Sequence, residues 1–336
     1  MTLALLALLA CGTDQRLKQT DTGADADADT DADTDTDADS DADTDTDTDT
    51  DTAPAPEITG ITAHLIPDVA SITTRETVTV VVVANWSDGS TTDMTAGSTI
   101  TSSDRTVLDF FQHDVGQPLL RGSVTIDAVA PNGTDLAPIP LAVTMSTVAP
   151  GDLVFNELLV DPATTSDPNG DGDSDPVEDE FLEIANAADA TVDLSGVTLW
   201  DADLSTARHT FPTPTYLRAG EVIVVFGGGD VSALSAPYAT FVIADNEDVG
   251  LQHGIALNNE GDAPVLLGAN GTTVLVSTPY GDSGGPTTVS DSSLVLAPEV
   301  YGTSYTAHVY ATATIGAQSP GTHADGTPFP GPSGTY

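Results

Sequence analysis

From residue 56 onward, short runs rich in β-branched and aromatic residues alternate with pieces rich in Gly, Asp, Asn, Ser and Pro. Runs of that kind, bounded by turn chemistry, predict strands. They fall at Ile58–Ile66, Thr77–Trp86, Val107–Phe111, Ser123–Val129 and Ile139–Met145, with turns such as Ser87-Asp88-Gly89-Ser90 between them. No helical period competes, so residues 56–148 are expected to form a sandwich, with Val80 to Val83 and Trp86 in its core. Over residues 150–330 the apolar runs continue, and Ala263 to Ser277 reads as two of them around Asn270-Gly271, a strong hairpin signal. The expected fold class is all-β, with two antiparallel β-sandwiches in tandem and residues 331–336 as a short tail.

The segment before the strands has another pattern. Residues 12–55 contain an alternation of Asp with Ala, Thr or Ser and no large apolar side chain between Asp21 and Thr52. Nothing there offsets the entropy of ordering, and neighbouring carboxylates repel, so this stretch is expected to be a disordered, extended spacer. Roughly 40 residues at about 3.4 Å each bound its reach near 140 Å.

Charge narrows the function classes. The chain carries 52 acidic against 7 basic residues, a formal net charge of −45. Such a surface repels phosphate backbones, which argues against nucleic acid as a partner. The acidity is not confined to the spacer, because 36 acids face five arginines between residues 53 and 336. A surface of that kind suits an extracellular medium rich in divalent cations.

The lone cysteine, Cys11, excludes an intramolecular disulfide. It follows Leu8-Leu9-Ala10 at the end of an apolar run, residues 3–10, that is too short to span a bilayer. Residues 1–11 thus resemble the signal peptide and lipobox of bacterial lipoproteins. The resemblance implies lipidation at Cys11, a membrane partner through the lipid anchor, and an extracytoplasmic location at the outer membrane or cell surface, since Gly12 and not Asp follows the cysteine.

Two further resemblances bear on the folded region. The stretch from Asn85 to Phe110 (NWSDGSTTDMTAGSTITSSDRTVLDF) resembles the bacterial Ig-like family, which implies a spacer or adhesion module. The runs Leu153 to Leu159, Glu180 to Asn186, Val192 to Leu199, Leu217 to Val225, Leu257 to Asp262 and Ser319-Pro320-Gly321 appear in the order of the lamin tail domain family. That likeness implies a second Ig-like sandwich, in bacteria an accessory module of exported proteins.

The sharpest chemical pattern is Asp167 to Glu178. Counting from Asp167, oxygen ligands fall at positions 1, 3, 5 and 9 (Asp167, Asn169, Asp171, Asp175), the Asp173 carbonyl at 7, a glycine at 6 and Glu178 at 12. This is the spacing of an EF-hand calcium loop set between strands instead of helices. Eight carboxylates between Asp167 and Glu183, with no Lys or Arg among them, repel one another without a cation. Structural Ca2+ is the expected cofactor, and a solvated acidic turn is the alternative.

Catalytic patterns are weaker. Gly281-Asp282-Ser283-Gly284-Gly285-Pro286 reproduces the string around a trypsin-like serine, but His64 as its base belongs to the other sandwich. A pair such as Glu157 with Glu180 or Glu183 would suit glycan hydrolysis, yet the chain has only Trp86 and Trp200 for a sugar platform. His209, His253, His308 and His323 show no metal spacing. The expected protein is a non-enzymatic, lipid-anchored surface module binding an unidentified surface protein or glycan. A secreted hydrolase acting through Ser283 or the glutamates is the alternative.

Overall fold

A computed structural model describes residues 54–202, 206–245, 254–311 and 315–332. Residues 54–336 cluster as one unit by contacts. The described part is all-β. Its helices are three single 3-10 turns, Thr95–Gly97, Val231–Ala233 and His308–Tyr310. Among the described residues no helix is long and apolar enough to cross a membrane. Cys11, the signal-peptide reading of residues 1–11, nearly all of the spacer and His253 lie outside the described residues.

The first sandwich runs through β1 (Ile58–Ile66), β2 (Ser71–Thr73), β3 (Val78–Trp86), β4 (Thr91–Asp93), β5 (Thr99–Ser102), β6 (Leu108–Gln112), β7 (Val115–Pro118), β8 (Gly122–Val129) and β9 (Ile139–Thr144). One sheet has the order β1-β3-β7-β6 with β4 also on β3, and the other β2-β9-β8-β5. Their facing sides enclose Val78, Val80, Val82, Leu108, Val124, Ile126 and Leu141. The expected core is corrected in detail here. Val81 and Val83 point away from Val80 and Val82, because strand side chains alternate, and Trp86 is only half-buried, its indole donating to Thr92 Oγ1 at 2.9 Å. The short strands β2, β4, β5 and β7 had no sequence signal strong enough to single out.

The second sandwich begins earlier than residue 150. β10 (Ser146–Thr147) pairs in parallel with β13 (Val192–Asp193), which pairs with β16 (Tyr216–Leu217). The main sheet collects β11 (Leu153–Leu159), β12 (Phe181–Asn186), β17 (Val222–Phe226), β18 (Ala239–Ile243), β23 (Leu294–Ala297) and β24 (Ser304–Ala307) in the order β18-β17-β12-β11-β23-β24. A smaller sheet packs over it: β14 (Thr198–Trp200), β15 (His209–Thr210), β20 (Val265–Leu267) and β21 (Val274–Ser277). β19 (Gly261–Asp262) and β22 (Tyr280–Gly281) form a short ladder of their own. Pairing is mostly antiparallel, with parallel exceptions at β2–β9, β10–β13 and β17–β18.

The main sheet is covered on both faces, which is why β12 and β17 are buried at every position. Phe155, Leu158, Leu182, Ile184, Ile223 and Val225 pack against the smaller sheet. Phe181, Val224 and Phe226 pack with Phe241 on the opposite face, and Ala185 and Val222 there meet Val300 and Phe329 from the C-terminal segment.

The turn between β2 and β3 ties the sandwiches together. Arg75 forms an ion pair with Asp152 and reaches the Thr147 carbonyl at 3.3 Å. Thr74, fully buried, donates to the Thr191 carbonyl at 2.7 Å and accepts from the Ser146 amide at 3.0 Å. Thr74→Val leaves two buried backbone groups unpaired, at a cost of about 1–3 kcal/mol. Urea unfolding should show that loss, and proteolysis near residues 145–152 should accelerate; unchanged cutting there would mean the junction is held by other contacts.

Candidate functional site

The acidic loop lies between β11 and β12 and is folded around its own carboxylates. Asp167 Oδ1 accepts from the amides of Gly170 at 2.8 Å and Asp171 at 3.1 Å, and Oδ2 accepts from Gly172 at 2.9 Å. Asn169 Oδ1 accepts from Asp171, Asp171 Oδ1 from Asp173, and Asp175 Oδ1 from Val177 and Glu178. The bonds that reach two residues on, from Asn169, Asp171 and Asp175, bend the chain locally in Asx turns.

A turn of three glycines after β17 supports this loop. A Cβ on Gly227 would sit 1.9 Å from the Val177 carbonyl oxygen, and one on Gly229 2.3 Å from Asn169 Nδ2 and 2.4 Å from Asp171 Oδ2. Gly229 also has a φ of 77°, where a side chain is disfavoured. The Gly227 amide donates to the Glu180 carbonyl at 2.8 Å and the Gly228 amide to the Glu178 carbonyl at 3.1 Å.

Six residues formed the expected calcium set. Asn169 and Asp171 come together over Gly229, Glu178 lies with its Cγ against Gly228, and Asp173 is exposed. Among the described residues, no three His, Cys, Asp or Glu side chains converge as a metal-holding group. A residue absent from the expected set, Asp179, is instead buried behind the loop. It accepts from the Asp175 amide at 2.9 Å and is reached by the Asn169 amide at 3.5 Å. Burial pushes its carboxyl up to about 6, and the charges of Asp167 and Asp171 add to that rise. The EF-hand register ends at Glu178, so sequence spacing alone passed over Asp179.

The glutamates weighed as a hydrolytic pair have other work. A bulge at Asn156 breaks the β11–β12 register between Phe155 and Glu157, and puts both Asn156 and Glu157 on the face covered by the C-terminal segment. Glu157 accepts from Ser293 Oγ at 2.6 Å, from the Ser319 amide at 2.9 Å and from Ser319 Oγ at 2.7 Å. Glu183, opposite it in register, accepts from Asn156 Nδ2 at 2.8 Å and from the Gly321 amide at 2.7 Å. The Asn156 side chain also accepts from the Val300 amide at 2.8 Å. His308 bridges the Gly316 carbonyl and Ser319 Oγ. Burial raises both carboxyls; for Glu183 the adjacent Glu157 charge adds to the rise, whereas the Ser293 hydroxyl and His308 oppose it for Glu157.

Three motifs noted in the sequence, around Asn156-Glu157, Glu183 and Ser319-Pro320-Gly321, therefore meet in one buried hydrogen-bond network. A Lamin Tail Domain model matches residues 146–281. The sandwich that carries this match extends beyond it in space, because β23 pairs beside β11 and Ser319 to Gly321 close the outer face of the sheet. No curated protein matches the chain. Among solved structures, domains 5-6 of the S-layer protein SbsC are 14% identical, with 67% of this chain and 96% of that chain covered and a TM-score of 0.20. A larger SbsC piece, domains 4-9, is 15% identical over 67% of this chain, which spans only 31% of it, at a TM-score of 0.21. A DUF4876 family protein from Bacteroides thetaiotaomicron is 12% identical, with 61% of this chain and 65% of that one covered and a TM-score of 0.25. Likeness at this level bears on neither ligand nor assembly.

The serine string lies in the loop after β22 and closes on itself. The Gly281 amide donates to the Pro286 carbonyl at 2.8 Å, and a Cβ on Gly285 would sit 1.7 Å from the Pro279 carbonyl oxygen. Its glycines meet a tight turn, while His64 is exposed on β1 of the other sandwich. Ser283 and His64 thus lie on different sandwiches, each exposed, with no hydrogen bond between them among the described residues.

Proposed function

We propose that this chain is a lipid-anchored cell-surface structural or interaction protein, displaying calcium-stabilised Ig-like modules that bind a surface protein or glycan. The observation that carries the reading is the engagement of Glu157 and Glu183, which hold the covering segment in place and have no access to a substrate. Cys11 is the lipidation site and the Asp-rich stretch the spacer. In calcium, Asp167, Asn169, Asp171, Asp175 and Glu178 supply side-chain oxygens and Asp173 its carbonyl, with Asp179 as a buried neighbour whose charge the cation stabilises.

Two measurements test this. Radiolabelled palmitate should enter the wild-type chain and not Cys11→Ser; equal labelling ends the anchor reading. Millimolar calcium should raise the melting temperature of the full chain relative to chelator, and Asp167→Ala and Glu178→Ala should each remove the rise. pH supplies a second arm. The folded pKa of Asp179, about 6, lies above its ordinary 3.8, so its contribution to stability is present below 3.8 and lost as pH rises through 6. Chelated protein should therefore gain from Asp179→Asn at about pH 7 and not at about pH 4. A melting temperature indifferent to calcium in wild type and variants alike would reduce the loop to a solvated turn.

A further inference from the structure

Among the described residues, the only buried side-chain nitrogen or oxygen atoms without a hydrogen-bond partner are Nδ1 and Nε2 of His209. Folds satisfy nearly all such atoms, so an imidazole with both nitrogens unpaired calls for a reason. The residue is 6% exposed. The carboxylate set against it, Asp245, stands 3.7 Å from Nδ1, beyond hydrogen-bond reach, and both Asp245 oxygens accept from the Thr210 amide at 3.1 Å.

The placement of His209 supplies the reason. β15 is an edge of the smaller sheet, and β18 is an edge of the main sheet. Two register pairs hold β15 to β14, Leu199 with His209 and Thr198 with Thr210. The His209 ring meets the Phe211 ring edge-on, with centroids 4.7 Å apart. It lines a cavity of about 250 Å³ together with Leu217 from β16, Ile223 from β17 and Val242 from β18. A neutral imidazole can stay there. An imidazolium is far worse placed, because it is a charge withdrawn from water, with two donors and no acceptor in hydrogen-bond reach among the described residues.

Little around the ring offsets that cost. The end of β18 brings Asp245, whose side chain is half exposed and so screened by solvent. β16 brings the phenol of Tyr216, while β14 and β17 bring the apolar Leu199 and Ile223. Arg208, next along the chain, is paired with Asp201, Nε to Oδ2 at 2.9 Å.

We propose that His209 is an acid-triggered latch: when its imidazole gains a proton, β15 separates from β14 and the second sandwich opens between its β15 and β18 edges, presenting Phe211, Ile223 and Val242 to solvent. The direction follows from burial, which lowers the imidazole below its ordinary 6.5 and which the Asp245 charge only partly opposes. A histidine lowered in this way contributes stability that is full above 6.5 and is lost as pH falls from there toward the folded value.

The test is hydrogen exchange of the full chain between about pH 7.5 and about pH 5, corrected for the pH dependence of intrinsic exchange. The reporters are the amides of Arg208 and Phe211, which donate to the Leu199 and Val197 carbonyls at 2.7 and 2.9 Å. Their opening constant should rise severalfold at the acid end, toward a ceiling of about thirtyfold set by full charging of an unburied imidazole. Amides of β3 and β8 should keep their protection. Burial raises the Glu157 and Glu183 carboxyls, which therefore favour the folded state more as pH falls and cannot produce the loss. His209→Phe keeps a ring against Phe211 and should flatten the response. Asp245→Asn keeps an acceptor for Thr210 but removes the charge that opposes burial, and should steepen it. A rise below about twofold in the wild type, or a loss of protection shared equally by the first sandwich, overturns the latch. So does an undiminished response in His209→Phe, or one in Asp245→Asn no larger than in the wild type.

Discussion

A Glu157→Ala variant should lose about 3–5 kcal/mol of unfolding free energy in urea. The expectation rests on what stays behind. Ser319 loses the acceptor for both its amide and its hydroxyl, Ser293 loses a 2.6 Å bond, and all three groups remain buried. The damage should be local first: the segment around Ser319 should become cleavable by protease while the first sandwich, with its separate core, stays protected. Glu157→Gln retains an acceptor and should lose much less, because burial already pushes the native carboxyl toward its neutral form. Equal losses for the two variants would show that charge and not hydrogen bonding matters at this position. A loss below about 1 kcal/mol for Glu157→Ala would show that the segment is held by its apolar contacts alone.

Gly227→Ala should be nearly as damaging for an unrelated reason. Its Cβ would lie 1.9 Å from the Val177 carbonyl oxygen, closer than any relaxed contact, and both partners are backbone. Relief requires the acidic loop to move off β17, which breaks the Gly227–Glu180 and Gly228–Glu178 bonds. A cost above about 3 kcal/mol is expected, in the range reserved for strain and broken buried networks. Gly60→Ala, with open space around its Cβ, serves as the control and should stay within about 0.5 kcal/mol of wild type. If calcium raises the melting temperature of wild type, the Gly227 variant should lose that response as well, since its loop can no longer dock. Retention of both stability and response would refute the close packing of loop on glycine turn.

How much of this could be read from the chain depends on the distance over which each feature is encoded. Strands β1, β3 and β8 announced themselves because alternation and β-branched residues are local signals. The hairpin around Asn270-Gly271 was legible too, although its connection is longer than a two-residue turn: Gly268 and Thr273 close it with a 2.8 Å bond. The roles of Glu157 and Glu183 were not legible, since their partners lie 136 to 162 residues away. Nor does sequence mark a bulge, and without the one at Asn156 the parity of β11 would place Glu157 in the opposite layer. Asp179 was hidden by a motif that stops one residue short of it. The glycine triplet carried a visible signal, three consecutive residues without side chains, whose meaning depends on what approaches them.

The position of β23 constrains when the second module can form. β11 is the first strand of its main sheet in chain order, yet its neighbour on one side is supplied some 135 residues later, as Leu158 pairs with Leu294. The network that covers the sheet waits longer still, for Ser319 and Gly321. A chain synthesised from its N-terminus can complete the first sandwich while this sheet still lacks β23 and β24. The second sandwich therefore closes only after the chain has emerged through Gly321, and until then its incomplete edge along β11 is open to pairing with another strand.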